Sequence, residues 1–309
     1  MKLVKSVLSA SILAAAAQTA VAVETDVYAS IRAEYLAGDG SDWGFGTGMD
    51  DAYSRIGLKV SEELEGLTIS YNFEFSVDPT GDMHDAGYTE KFNSRMIRQN
   101  TLTLSGEFGS LAAGEVWSPF YNAITWGTGA DRFDGYYTGY QTVSSSRIEN
   151  AIAYNSPTID GFQVAVLLGA DSATDMHGGN SYDSHKDIAI TYSVNDEITI
   201  AAAMTDGDSD AQKDKGVGIS YTKDSLFLSA NIESSDEADK DAQNLFASYS
   251  LTDKTALSGH IGSTDGDYDN AKTIAISHKY DDQIKVWAQY YSDDTIGDVP
   301  SIGIRVDLD

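Results

Sequence analysis

The sequence predicts an all-β protein, a transmembrane antiparallel β-barrel of about sixteen strands. Three observations predict this fold. Apolar and polar residues alternate along most of the chain, and tight turns alternate with long polar connections between the alternating segments. After Val23, moreover, no stretch has the roughly 18 apolar residues that a membrane-spanning helix needs.

The N-terminus predicts export. Two lysines within the first five residues precede an apolar or small-residue stretch at 7–17, which is too short to cross a bilayer as a helix. Ala20-Val21-Ala22 then fits the small-residue rule for signal-peptide cleavage. We therefore predict a signal peptide over residues 1–22 and a single barrel domain over residues 23–309. A buried or anchoring N-terminal helix is the alternative.

The composition limits the classes of function. The chain has 20 Lys and Arg against 48 Asp and Glu, a net charge of −28. Without the two lysines of the predicted signal peptide the balance is 18 against 48, or −30. This charge argues against binding to nucleic acid and fits a surface that handles cations, divalent metals or high salt. The absence of cysteine excludes disulfides and thiolate chemistry.

Alternation with a period of two residues defines the predicted strands. In residues 27–35, 56–60 and 67–75, apolar side chains occupy one phase and polar side chains the other, as expected when successive residues point to opposite faces of a sheet. Similar segments follow at 94–105, 110–117, 147–155, 162–168, 188–192, 198–200, 217–221, 226–232, 245–249, 257–261, 274–276, 284–290 and 302–308.

The connections between these segments are of two kinds that alternate. The tight set comprises 62–66, 106–109, 156–161, 195–197, 222–225, 252–254 and 281–283. The long, polar set comprises 37–52, 78–93, 118–146, 170–185, 205–215, 233–242, 263–271 and 292–299. Short turns at one rim and long loops at the other are typical of outer-membrane barrels, so we predict the outer membrane as the location.

Three segments carry a family resemblance. Residues 54–66 (SRIGLKVSEELEG), 98–114 (RQNTLTLSGEFGSLAAG) and 147–162 (RIENAIAYNSPTIDGF) resemble, in order, the general diffusion porins of Gram-negative bacteria. The resemblance covers most of the chain after the signal peptide, although residues 170–300 match in pattern more than in motif. It implies a sixteen-stranded homotrimer whose long third loop folds into the lumen and narrows it. The implied partners are outer-membrane lipid, lipopolysaccharide, the barrel-insertion machinery, and small hydrophilic solutes and ions.

The chain departs from this family pattern at identifiable positions. Family members usually end on an aromatic residue that the insertion machinery recognises, whereas Leu308 stands near that position here and Asp309 follows it. Glu115 stands where many relatives carry a basic residue. The segment 131–135 (DRFDG) is only loosely similar to a common string of the third loop.

The resemblance places the pore constriction in residues 118–146, where Asp131 and Asp134 would supply negative charge. Aromatic residues of this loop, among them Phe133, would pack against the barrel wall. Side chains on the polar phase of their strands should point into the lumen, where opposite charges would create a transverse field. The predicted lumen residues are the basic Arg32, Arg55, Arg95 and Arg147 and the acidic Glu34, Glu74 and Glu149. Arg98 has the apolar parity of Leu102, so it is left out, because only a bulge would turn it inward.

Acidic residues also crowd the long connections, where they would surround the outer mouth and favour cations. They are Asp206, Asp208, Asp210, Glu233, Asp236, Glu237, Asp239, Asp265, Asp267 and Asp269. The spacing of the first three resembles a calcium loop, but Ala211 and Val217 replace the turn glycine and the bidentate glutamate that such a loop requires. We predict a solvated acidic rim and no EF-hand or other assigned metal site, with diffuse binding of divalent ions at the lipopolysaccharide surface as the alternative.

The predicted function is passive diffusion of small hydrophilic solutes and ions, with a preference for cations. Two alternatives remain open. A substrate-specific channel, for example for sugars, would use aromatic residues such as Trp126, Tyr136 and Tyr137, and an adhesin or phage receptor would use the exposed loops. Neither an enzyme nor a bound cofactor is expected, because none of the five histidines is spaced to share a metal with another and no Gly-x-Ser-x-Gly elbow is present.

Overall fold

The computed structural model describes residues 23–38, 47–80, 97–135, 142–169, 173–174, 181–182, 184–207, 213–236, 241–264 and 268–308. Almost all of these residues lie in antiparallel strands. The barrel strands are β1 Glu24–Leu36, β2 Gly48–Asp51 continued by Arg55–Leu64, β3 Leu67–Ser76, β4 Ile97–Gly106, β5 Gly109–Trp117, β6 Arg147–Asn155, β7 Phe162–Gly169, β8 His185–Ser193, β9 Ile198–Gly207, β10 Asp214–Lys223, β11 Leu226–Ser235, β12 Ala242–Thr252, β13 Thr255–Thr264, β14 Tyr268–Lys279, β15 Ile284–Asp293 and β16 Gly297–Leu308.

Each strand pairs with its neighbours in sequence, and the last strand pairs with the first. The β1–β16 ladder runs from Ala29↔Leu308 to Leu36↔Ser301. Because the sheet closes on itself, its backbone hydrogen-bonding groups are satisfied without a free edge. The prediction of a sixteen-stranded antiparallel barrel is confirmed.

The two faces of the sheet have opposite character. Side chains of the apolar phase are exposed, for example Leu168 and Ile232 at 61% each, and they form the outer face. Side chains of the polar phase point to the inside of the closed barrel, where Glu34 and Glu233 are at most 1% exposed. We call this side the inner face. Apolar residues outside and polar residues inside suit a barrel surrounded by lipid. No helix in the described part of the chain has the length and apolar character to cross a membrane.

Tight turns and longer connections alternate in the first half of the barrel, but the connections predicted to be long at 263–271 and 292–299 shrink to 265–267 and 294–296, because the flanking strands extend into them. At the tight rim, Glu65 and Gly66 both have positive φ values, 37° and 87°, which match the right-handed twist of the flanking strands. Two small elements lie inside connections that were predicted to be loops. The segment Gly48–Asp51 pairs with β1, and Ala173–Thr174 pairs with Ser181–Tyr182. Both lack apolar alternation, so backbone pairing alone reveals them.

Candidate functional site

The connection between β5 and β6, residues 118–146, is held at its base by Ser118. The Ser118 amide donates to the carbonyl of Ser146 at 3.0 Å, which joins the two ends of the connection. The Ser118 hydroxyl accepts from the amide of Tyr121 at 3.1 Å and donates to the carboxylate of Asp187 on β8. Nε2 of His185 lies 2.5 Å from the same carboxylate. A short π-helix, Tyr121–Trp126, follows from this fixed base.

The π-helix packs against small residues on the inner face of the barrel. Phe120 and Ile124 are fully buried and pack with Ala189 and Ala203 of β8 and β9. On β10, a Cβ atom added to Gly216 would lie 2.8 Å from the ring of Phe120. Larger side chains on these strands would therefore push the helix away from the wall.

Glu233 on β11 binds both limbs of the connection. One carboxylate oxygen accepts from the Thr125 hydroxyl at 3.3 Å, and the other accepts from the Thr142 hydroxyl at 2.8 Å and the Val143 amide at 2.9 Å. Glu233 is fully buried. Its predicted place in a solvated outer rim is wrong, because its parity on β11 turns it inward under the loop.

Amide and hydroxyl side chains bind the end of the π-helix. Asn231 donates from Nδ2 to the carbonyl of Ile124 at 3.2 Å and to the hydroxyl of Thr128 at 3.0 Å. The hydroxyl of Ser229 donates to the carbonyl of Thr128. Helix ends leave carbonyls without intrahelical partners, and these inner-face side chains supply the missing donors.

Further along the connection, a 3₁₀ turn, Ala130–Arg132, leads to an aromatic contact with the wall. Phe133 packs edge-on against Phe246 of β12, with ring centres 5.2 Å apart. The guanidinium of Arg132 lies 4.3 Å from the ring centre of Phe227 on β11. Phe133 thus packs against the wall in the described structure.

Asp134 is neutralised by the opposite wall. Its carboxylate lies 2.6 Å from Nζ of Lys285 on β15 and 4.0 Å from Nη1 of Arg305 on β16. The next residue, Gly135, approaches so closely that an added Cβ would lie 2.9 Å from the carboxylate of Glu34. The sequence predicted that Asp134 would supply negative charge at the constriction, and the structure pairs this carboxylate with two basic side chains. The side chain of Asp131 lies outside the described residues.

A second cluster of charged side chains is centred on Glu74 of β3 and includes side chains of β1, β2 and β4. The Glu74 carboxylate lies 3.4 Å from Nε of Arg55 and accepts from Nε of Arg98 at 2.8 Å and from the Tyr28 hydroxyl at 2.7 Å. Excluding Arg98 was wrong. The register skips that residue between Glu74↔Gln99 and Phe75↔Ile97, and this bulge turns Arg98 inward.

A third charged pair lies at the base of the 118–146 connection. Nη1 of Arg147 lies 3.6 Å from Oε1 of Glu115, and both side chains are buried. The guanidinium also lies 5.2 Å from the ring centre of Trp117. Arg147 thus binds the neck of the loop. Glu149 is half-buried and acts electrostatically on Glu115.

Three aromatic rings cluster beside this pair. The ring centres of Trp117, Tyr121 and Trp126 lie 5.7 to 6.5 Å apart, and the Trp117 and Tyr121 rings are stacked at 22°. Trp126 is 48% exposed. Burial raises the pKa of the Tyr121 hydroxyl further above its ordinary value, so this group is uncharged. The cluster therefore presents an uncharged aromatic edge next to charged groups.

Of the remaining residues predicted to face the lumen, the structure describes some and not others. Arg32 and Glu34 are buried on the inner face of β1, and Arg32 donates from Nε to the Ser30 hydroxyl at 3.1 Å. Arg95 lies outside the described residues. Lys285 and Arg305 were missed, although each alternates with outward apolar neighbours, so parity alone would have revealed them. Among the described residues, no three His, Asp or Glu side chains are placed to hold a metal ion.

Solved structures with the same architecture are porins. A mutant of the porin of Rh. blastica superposes with a TM-score of 0.70 at 18% identity, covering 93% of this chain and all of that chain. An anion-selective porin from Comamonas acidovorans gives 0.67 at 18% identity, covering 93% and 98%. A loop-deletion variant of OmpT, an outer membrane protein of Vibrio cholerae, gives 0.68 at 17%, covering 93% and 100%. At these identities the likeness establishes the fold.

Sequence comparison establishes the family. A family model described as Gram-negative porin matches residues 8–308, and the chain therefore belongs to this family of outer-membrane β-barrel channels. A curated relative, the chitoporin of Vibrio furnissii, is 27% identical over 160 residues. That match spans 50% of this chain and 42% of the relative.

Proposed function

We propose that the protein is a passive diffusion channel whose residues 118–146 lie in the lumen and narrow it. The main support for the proposal is the course of this connection along the inner face of the barrel. It contacts inner-face side chains from β8, at Ala189, through β11, at Glu233, to β15, at Lys285. A segment bound to so much of the wall reduces the open cross-section and brings its own side chains near every solute that passes.

The charges favour small hydrophilic solutes and ions as cargo. Arg55, Arg98 and Glu74 line one side of the inner face, while Lys285 and Asp134 join the loop to the wall. Opposite charges at close quarters in a wet pore orient water and polar solutes and exclude apolar ones. Catalysis is not part of the proposal.

A preference for cations remains part of the proposal, but we attribute it to residues other than Asp134. Because the two cations of Lys285 and Arg305 face the single carboxylate of Asp134, the proposed constriction carries no net negative charge at this point. The acidic excess of the chain, −28 overall, then acts mainly through the long connections at the outer rim. Asp206 and Asp236 of this rim make only exposed pairs with Lys186 and Lys215, so they still contribute to the field there.

The test is conductance of the purified, folded protein in planar bilayers under a KCl gradient. A steady ohmic conductance with a cation-selective reversal potential supports the proposal. Anion selectivity would remove the cation preference while leaving the channel. A folded barrel without conductance would contradict the channel and favour a surface-binding role such as an adhesin or phage receptor.

A second candidate function is a sugar-specific channel. The cluster of Trp117, Tyr121 and Trp126 favours it, because sugars stack on aromatic rings, and so does the similarity to a protein named chitoporin. Saturable block of the ion current by chitin-derived oligosaccharides, lost in Trp126→Ala, would support it. Block that is unchanged in Trp126→Ala, or current that is insensitive to the sugars, would contradict it.

The same proposal includes assembly and export. We propose a homotrimer, as the family resemblance implies, inserted from the periplasm by the barrel-insertion machinery. Residues 1–22, which lie outside the described residues, would be the cleaved export signal. The start of β1 at Glu24 is compatible with cleavage before Val23. The N-terminal sequence of the membrane-extracted protein and its mass in cross-linking experiments test both points.

A further inference from the structure

A buried histidine lies beside the base of the 118–146 connection. Nε2 of His185 is 2.5 Å from Oδ1 of Asp187, and Oδ2 of the same carboxylate accepts a hydrogen bond of 2.5 Å from the Ser118 hydroxyl. All three residues are at most 4% exposed. Because the Ser118 amide also joins the two ends of the connection, the Asp187 carboxylate links the histidine to the base of the loop.

Two further carboxylates share this part of the inner face. Thr205 of β9 pairs in register with Asp187 and accepts a hydrogen bond of 2.9 Å from the amide of Asp214 on β10. The Asp214 carboxylate interacts electrostatically with Asp187 and His185, and Glu233 on β11 interacts with Asp214. All three carboxylates are buried. Like charges held together away from water repel one another, so a positive charge beside them has a large effect.

His185 is placed to supply this positive charge. Its register partners on β7 and β9 are Gly169 and Gly207, so neither neighbouring strand places a charged side chain at its level. In the described part of the connection, the group that contacts Asp187 is the uncharged Ser118 hydroxyl. Histidine ordinarily takes up or loses a proton between pH 5 and 8. Any carboxylate here that holds a proton at the lower pH loses it as the pH rises, which changes the charge in the same direction.

We propose that His185, Asp187 and Asp214 form a pH-sensitive switch that holds the base of the 118–146 connection more firmly at acid pH than at alkaline pH. While the imidazole is protonated, it forms a charge-assisted hydrogen bond with Asp187 and keeps this carboxylate in place beside Ser118. As the pH rises and the imidazole becomes neutral, the ion pair is lost and the repulsion between Asp187 and Asp214 remains. The base of the connection then moves more freely. The inference rests on the proposed position of this connection in the lumen.

The test is the open-channel current noise of the purified barrel in planar bilayers, at constant KCl between pH 5.5 and 8.5. We expect the noise of the wild type to rise with pH, because the detached fraction of the base should increase about fivefold when a charge-assisted hydrogen bond becomes a neutral one. His185→Gln, which takes up no proton, should show the high noise at every pH. Asp214→Asn should lower the noise at alkaline pH, since it removes the repulsion.

Two other histidines provide matched controls. His260 is also buried on the inner face, but its ring lies 6.4 Å from the ring of Phe133, further along the connection. His278 is exposed. His260→Gln and His278→Gln should both keep the rise of noise with pH. Wild-type noise that is independent of pH or falls as the pH rises would overturn the proposal, and so would a rise that persists in His185→Gln.

Tryptophan fluorescence tests the switch without assuming a channel. Trp117 precedes Ser118 and its ring contacts that of Trp126, so movement of the base should change their emission between pH 5.5 and 8.5. This change should be absent in His185→Gln and reduced in Asp214→Asn, which serves as an independent test if His185→Gln does not fold. A folded barrel without conductance but with this emission change would contradict the channel and support the switch. A conducting barrel with neither pH-dependent noise nor pH-dependent emission would contradict the switch alone.

Discussion

Replacing Asp134 by Asn tests whether the contact between loop and wall controls the pore. The change keeps the shape of the side chain and removes the charge that offsets Lys285 at 2.6 Å and Arg305 at 4.0 Å. Two unit charges at the shorter distance attract each other by about 1.6 kcal/mol even at the dielectric constant of water. Since Asp134 is buried, we expect a loss of about 1–2 kcal/mol of loop attachment, which raises the detached fraction roughly 5- to 30-fold.

The same change should alter ion selectivity. If ions pass about 5 Å from the pair, removal of one negative charge lowers the local cation concentration about twofold after screening over a Debye length of about 8–10 Å. The same change in potential raises the local Cl⁻ concentration about twofold, so the permeability ratio of K⁺ to Cl⁻ should fall about fourfold, and the open-channel current should become noisier. Reversal potentials in a KCl gradient and single-channel noise measure the two effects on the same protein.

The matched control removes the opposite charge and should shift the K⁺ to Cl⁻ ratio in the opposite direction. Lys285→Gln should raise the K⁺ to Cl⁻ ratio, and Asp134→Asn with Lys285→Gln should return the ratio close to that of the wild type, because the net charge is then unchanged. An Asp134→Asn channel with wild-type selectivity and wild-type noise would refute the assignment of the constriction. A double variant as shifted as either single variant would show that the two charges do not act as a pair.

Three further predictions concern the loop and the last strand. Gly216→Val should displace Phe120 from the wall, lower the thermal stability of the folded barrel and change the conductance, whereas the outward Val217→Ala should leave the conductance unchanged. Glu233→Ala should free both limbs of the loop and increase its cleavage by added protease, and equal cleavage of Glu233→Ala and the wild type would contradict this. Leu308→Asp should lower the yield of heat-modifiable barrel in outer membranes, because Leu308 faces outward, 52% exposed, at the strand that closes the sheet; an equal yield would place the insertion signal elsewhere.

The strands could be predicted from the sequence because their signal is local. A period of two residues reports which side chains share a face, and the segment predicted at 147–155 coincides with β6. The inward positions of Arg32, Arg55 and Glu74 follow from the same parity. The segment Gly48–Asp51 has no such pattern, and its place in the barrel depends on backbone pairing with β1.

The errors at the site arise where parity or pairing depends on distant residues. Arg98 was assigned to the wrong face because one bulge, visible only in the register with β3, shifts the phase of the strand. Glu233 was counted with the rim because the sequence does not show that Thr125 and Thr142 fold back onto it. The partners of Asp134 lie about 150 residues further along the chain, and no local pattern connects them to the loop.

Two kinds of contact hold the described part of the 118–146 connection against the wall, and salt affects them differently. At β8 to β10 the contact is one of shape, since Phe120 and Ile124 fill space left by alanine and glycine, and salt does not weaken it. At β15 and β16 the contact is electrostatic, and screening in concentrated salt reduces it. We therefore predict that the position of the loop around Asp134, and its effect on the proposed pore, depends on the ionic strength of the solution. We predict that attachment by shape at one end and by charge at the other keeps the proposed constriction in place and leaves its far end adjustable.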